Sequence, residues 1–188
     1  MIKRDDYIVL FAIIVCLVFI VLFGSLFIKD TLSIPEETTI TTTETTETTR
    51  NLKSEVSEFL SENSLEAEMI AKVLYREARG IEDKTQIAAV GWCILNRVDS
   101  PNHPNTIVEV ITEPEQFAWE YETPIELELL RLSKDILMRW YLEKQGYKKI
   151  GRTLPKDYCF FVGDGGYNYF RNSFETEKVW DWSYPSPY

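Results

Sequence analysis

The chain has 188 residues, room for one modest domain plus appendages. Its formal net charge is -10 with a pI near 4.7, and no basic stripe runs along it, which argues against a nucleic-acid partner. Of the three cysteines, Cys16 lies in an apolar run, leaving Cys93 and Cys159 as expected buried thiols rather than a disulfide framework. The single histidine, His103, sits in the loop PNHPN without the partners a zinc site needs. No metal and no cofactor is expected.

Residues 1–6 carry Lys3 and Arg4, and residues 7–28 carry no charge. About 20 apolar residues span a bilayer core, so 7–28 reads as an uncleaved transmembrane helix. The run is too long for a signal-peptide core and lacks a small-residue cleavage site after it. Lys29 alone follows it closely, so the positive-inside bias predicts a single-pass cell-membrane protein with a cytoplasmic N-terminus and an extracytoplasmic domain. Residues 29–51 are rich in Thr and Glu and poor in anything that buries a core, which predicts a flexible, somewhat extended stalk.

The folded domain is expected over 52–188. Val56, Phe59 and Leu60 predict a short lead-in helix over 54–61. Residues 65–80, LEAEMIAKVLYREARG, read as the next helix. Asn63 or Ser64 is positioned to cap it, Glu66 completes a capping box with Asn63, and Gly80 closes it. Ile70, Val73 and Leu74 make its apolar stripe. Glu77, seven residues after Ile70, shares that bearing. A carboxyl on the apolar edge of a helix C-terminus has the surroundings of a general acid. The competing reading is a structural Glu paired with Arg76 or Arg79. Asp83 and Gln86 form another capping-box pair, and Ile87, Val90, Gly91, Ile94 and Val98 predict a third helix. A mid-helix Gly91 costs stability relative to Ala, which a close helix crossing would explain.

A short helix is expected over 106–112 and an ordered loop over 113–123, EPEQFAWEYET. Thr123, Pro124 and Glu126 predict the start of the longest helix, running to about residue 145 and buried in the middle of the domain. Residues 158–162 read as a strand and the following GDGG as a turn without a phosphate-loop signature or calcium-ligand spacing. Eleven aromatics lie between Tyr158 and Tyr188. Most must be core, while a few beside the glycine turn can line a groove. The fold class is therefore mainly α (α+β), with a minor β element.

The order Tyr75-Arg76-Glu77-Ala78-Arg79-Gly80, then Asn96-Arg97, then Gln116-Phe117 resembles the cell wall hydrolase family typified by the spore-cortex-lytic enzyme SleB. The resemblance covers roughly residues 62–170. It implies a small lysozyme-like domain that cuts peptidoglycan glycan strands, with Glu77 as catalytic residue. Asn96, Gln116, Phe117, Gly165 and Asn168 become substrate-binding candidates. It also implies lytic transglycosylase chemistry, in which one acid suffices because the substrate supplies the nucleophile. Two other classes remain open: a two-carboxylate glycosidase, with Glu113, Glu115, Glu120 or Asp164 as partner, and a non-catalytic wall-binding membrane protein. The chain departs from the family pattern at Ile81, where many relatives have an acidic residue, and near Asn168, where a histidine is frequent.

Overall fold

The computed structural model describes residues 40–176 and 178–188, with side-chain surroundings from residue 49 onward. The expected membrane span 7–28 and the stalk up to residue 39 lie outside the described residues. Among the described residues no helix is long and apolar enough to cross a membrane. The chain from Thr48 to Tyr188 forms one compact unit.

Five helices and one hairpin are described: α1 Ile40–Glu62, α2 Ser64–Glu77, α3 Lys84–Asp99, α4 Ile107–Thr112, α5 Leu127–Lys144, β1 Phe160–Gly163 and β2 Asn168–Arg171. The domain is thus mainly helical with a small two-stranded sheet. The lead-in helix is longer than its apolar pattern implies. It reaches back to Ile40, through part of the segment expected to be a stalk. Among its described side chains, Phe59 and Leu60 near the C-terminal end pack on the core. Helix propagation adds a hydrogen bond per residue fixed, so a docked end can extend through a Thr-rich stretch.

The turn between α1 and α2 uses Asn63 differently from the expected cap. Its Nδ2 donates to Phe59 O at 2.8 Å, closing the preceding helix, and its side chain makes no cap bond to α2. Asp83 does cap α3, accepting from Thr85 N at 2.8 Å. The box partner Gln86 is instead buried and accepts from Asn168 N at 3.1 Å. Thr106 caps α4, accepting from Glu109 N at 3.2 Å.

The central helix is α3, not α5. Ten consecutive α3 residues, Ala88 to Arg97, are buried, whereas α5 buries only Ser133, Ile136 and Leu137. The reason is size: Ala88, Ala89, Gly91 and Cys93 let neighbours approach α3 from several sides. A Cβ at Gly91 would stand 2.8 Å from Ile136 Cδ1 and 3.7 Å from Ile70 Cγ2, so α2 and α5 both close on it. At the α2–α5 crossing the buried Ser133 hydroxyl donates to Ala67 O at 2.7 Å. The α5 start is also corrected. The helix begins at Leu127 with Glu126 as cap, and Thr123 is buried in the extended segment before it.

Strands β1 and β2 pair antiparallel with Phe160 opposite Arg171 and Gly163 opposite Asn168. Three side chains of α3 pin this hairpin region. Gln86 holds Asn168 N, Asn96 donates to Tyr158 O at 2.8 Å and Pro155 O at 2.7 Å, and Arg97 Nε donates to Cys159 O at 2.8 Å. The described residues of the C-terminal tail have no regular structure but are tied down. Trp180 N donates to Phe170 O at 2.8 Å, Trp180 Nε1 to Thr153 O at 3.1 Å, and the Tyr188 hydroxyl to Asp135 Oδ2 at 2.9 Å.

Candidate active site

Glu77 is the last residue of α2. The stripe Ile70, Val73 and Leu74 is fully buried, and Glu77, two turns on from Ile70, emerges half-buried at the edge of the core. Beyond it the chain reverses: Ile81 N bonds to Ala78 O at 3.0 Å, and Gly80 takes φ +93°. A side chain there would be strained, and its Cβ would stand 2.8 Å from Gly165 O. Gly80 is therefore both a helix stop and the seat of the GDGG turn.

Two further elements converge on Glu77. The loop 113–123 lies along α2, held by Lys72 Nζ donating to Tyr121 O at 2.6 Å and by the Arg76–Glu120 ion pair at 2.8 Å. That docking brings Ala118 N onto Glu77 Oε1 at 2.5 Å. From beneath, the buried Asn168 directs Nδ2 at Glu77 O at 3.5 Å. The arginines that could have made Glu77 a structural ion-pair partner are engaged elsewhere. Arg76 pairs with Glu120, and Arg79 lies over the Tyr75 ring, 5.9 Å from its centroid. Among the described residues Glu77 has no ion pair, and its Oε2 has no hydrogen-bond partner.

Gln116 and Phe117 precede Ala118 on its loop. Gln116 is exposed, and its Oε1 accepts from Arg97 Nη1 at 2.9 Å. The Phe117 ring lies 4.6 Å from the Arg97 guanidinium and 6.3 Å from the Phe161 ring. Cys93 lies in the same electrostatic neighbourhood. Burial pushes its thiol up to about 12, Arg97 pulls against this and Glu77 adds to it. Beside the end of α2, Leu74, Tyr75, Ala78, Arg79, Ile81 and Leu129 wall a cavity of about 370 Å³. Glu77 is not among its walls; its carboxyl turns to Ala118.

The sequence model of the Cell Wall Hydrolase family matches residues 81–184, more than half of the chain. The chain belongs to the Cell Wall Hydrolase family. No curated protein and no solved structure matches it. The matched span of this cell wall hydrolase contains Asn96, Gln116, Phe117, Gly165 and Asn168, while Glu77 lies outside it, four residues before its start at Ile81.

Within the cell wall hydrolase domain the sequence-derived candidates divide. Glu77 is joined to the loop of Gln116 and Phe117 through Ala118 N, and the turn at Gly165 sits against Gly80, three residues further on. Asn96 is not part of this junction. Only 1% exposed, it gives both amide hydrogens to Pro155 O and Tyr158 O and accepts from Arg152 Nη1 at 2.8 Å. That engages both donors and the acceptor oxygen of a buried amide, so Asn96 belongs to the scaffold rather than to a substrate surface. Asn168, also 1% exposed, supports the end of α2 from below.

The other carboxylates are differently occupied. Glu120 is in the Arg76 ion pair. Asp164 accepts from Gly166 N at 3.0 Å, Tyr167 N at 2.8 Å and the Tyr169 hydroxyl at 2.9 Å. These bonds, Gly166 N first, hold its carboxyl below the usual range. Glu113 has a buried Oε2 without a partner among the described residues. Among the described residues no group of three or more His, Cys, Asp or Glu side chains could hold a metal ion. One site group had no sequence signal, since the Ala118 N–H is a backbone donor. Arg97 stands in the Asn96-Arg97 motif but reads there as a helix-end arginine, and its hold on Gln116 appears only in the fold. The turn itself was legible as GDGG, while the hold of the Asp164 carboxylate on Gly166 N and Tyr167 N appears only in the fold.

The arrangement suits proton transfer. A protonated carboxyl keeps one carbonyl-type oxygen, which Ala118 N–H holds, and presents the O–H of the other. Glu77 thus has one oxygen held by Ala118 N and one without a hydrogen-bond partner among the described residues.

Proposed function

We propose that this cell wall hydrolase is a membrane-anchored lytic transglycosylase of the SleB type, cutting peptidoglycan between N-acetylmuramic acid and N-acetylglucosamine. The observation that carries the reading is Glu77. It is a half-buried carboxyl with no ion-pair partner among the described residues, and its Oε1 is held by Ala118 N. In the proposed cycle Glu77 protonates the bridging glycosidic oxygen while the bond to C1 of the muramic acid breaks. The resulting carboxylate takes the proton from the muramyl 6-hydroxyl as that oxygen bonds to C1, closing a 1,6-anhydro ring. Glu77 ends protonated, no water is consumed, and no second protein carboxylate is needed. The uncharged run 7–28 and the preceding Lys3 and Arg4 support anchoring in the cell membrane with the domain outside.

The test is digestion of purified peptidoglycan by the full-length protein in detergent, with products read by mass spectrometry. Anhydro-muramyl ends, one water lighter than reducing ends, are expected. Reducing ends would overturn the transglycosylase reading in favour of a two-carboxylate glycosidase. The orphaned Oε2 of Glu113 makes that residue the first partner to examine. Binding without any cleavage would return the chain to a wall-binding protein.

A further inference from the structure

Gln116 reaches the site with one end of its amide already fixed. Arg97 is 4% exposed and anchored on Cys159 O through Nε, and its Nη1 meets Gln116 Oε1. A guanidinium has N–H donors and no acceptor, so the atom facing it must be the amide oxygen. Turning the amide over would set donor against donor. The donor end, Nε2, is therefore held on the side away from Arg97, on an exposed residue, and donates to no described residue. Next along the loop is the half-buried Phe117 ring. Next again is Ala118, whose N–H holds Glu77. A fixed donor, an apolar ring and the N–H that holds Glu77 thus come from three consecutive loop residues.

We propose that Gln116 and Phe117 form an N-acetyl subsite: Gln116 Nε2 donates to the carbonyl oxygen of a sugar 2-acetamido group, whose methyl packs on Phe117, and Arg97 is the positioning residue that sets the amide. The substrate class rests on the glycan-cutting reading above. A sugar hydroxyl both donates and accepts, so it would be indifferent to which end of the amide it met. A carbonyl only accepts, and a locked donor selects for it. The paired methyl and carbonyl of an acetamido group match an apolar ring and a donor on neighbouring residues.

The test uses the full-length protein in detergent at about 0.5 M salt, which screens the charge of free amines. Co-sedimentation and cleavage are measured on native peptidoglycan and on the same material chemically de-N-acetylated. Wild type should bind the native glycan about tenfold more tightly, the scale of one buried polar group left unpaired. Gln116→Glu keeps the bond from Arg97 but has no donor. It should lose about tenfold on native glycan and little on the de-N-acetylated form, so the preference collapses without a drop in Tm. Arg97→Lys keeps the charge but not the rigid fork, and should weaken the preference partway. Because Arg97 is buried, the exposed Gln116→Glu variant carries the test if the lysine variant does not fold. A Gln116→Glu protein with the wild-type preference, or a wild type without preference, overturns the subsite. Preference in binding with no cleavage leaves the subsite standing and sinks the glycan-cutting reading. Cleavage of both glycans at equal rates does the reverse.

Discussion

Glu77 accepts the Ala118 N–H through Oε1, and the oxygen of a glutamine amide can accept the same bond. Glu77→Gln therefore keeps the contact that docks the loop while removing the only proton the side chain can deliver. The variant should fold, with stability within about 1 kcal/mol of wild type, since a neutral acceptor bond is worth about that much in total. It should still sediment with peptidoglycan. Its cleavage rate should fall by at least ~10²-fold, the lower end for loss of general acid catalysis. A folded Glu77→Gln protein that cuts at the wild-type rate would remove Glu77 from the mechanism. The neighbouring residues show how little of a side chain's role lies in its type. Asn96 and Gln116 carry the same amide, yet one is buried with its donors and oxygen engaged and the other is exposed with its donor end outward.

At the scale of elements, the site is a junction of one helix end, one loop and one turn. The turn Asp164–Tyr167 is held by the Asp164 carboxylate, and its Gly165 O approaches Gly80. Because the folded-state carboxyl lies below its ordinary range, held there by Gly166 N, the Tyr169 hydroxyl and Tyr167 N, the contribution is present above that range. It is lost as the pH falls through the depressed value. The turn should thus be intact at pH 5 and loosen only in acid below the ordinary aspartate value of about 3.9. The Gly166 amide resonance followed against pH checks this. A midpoint at the ordinary value would mean that the carboxylate does not hold the turn. Asp164→Ala should shift that resonance at every pH. The helix pair behind the site has its own constraint at Gly91, where a Cβ would stand 2.8 Å from Ile136 Cδ1 and that side chain would have to move.

For the whole molecule, the C-terminal tail acts as a strap over the hairpin and the core. Trp180 packs edge-on against Tyr158 with centroids 5.5 Å apart, and its indole N–H satisfies the carbonyl of the buried Thr153. Trp182 stands edge-on to Phe170 at 5.7 Å. Trp180→Ala should cost about 2–4 kcal/mol, somewhat under the range for a fully buried aromatic because Trp180 is half-buried. Denaturant melts measure it. Trp180→Phe keeps most of the packing and loses the donor, for about 1 kcal/mol. If Trp180→Ala melted like wild type, the tail would be an appendage rather than part of the fold.

The local pattern of the sequence was enough for the helix over α2 and α3, the Asp83 cap, the short α4, the stop at Gly80 and the glycine turn. Each depends on residues within one or two helical turns of one another, where periodicity and backbone geometry act directly. Gly91 was legible too, as a cost that only a close crossing would offset. What the tertiary structure decided was which partners those elements chose. It made α3 the centre, because small residues on several faces matter only once other helices are there to approach them. It took Asn63 from its expected cap and gave it to Phe59 O, and took Gln86 from its box and gave it to Asn168 N, 82 residues away. It also brought the Ala118 N–H to Glu77 across 41 residues and the Asn168 amide to the same residue across 91. A backbone donor has no side-chain identity to read, and a long-range hydrogen bond has no spacing to count. The sequence by itself could nominate the carboxyl, while the surroundings that fix one of its oxygens and leave the other without a partner among the described residues came only from the packed chain.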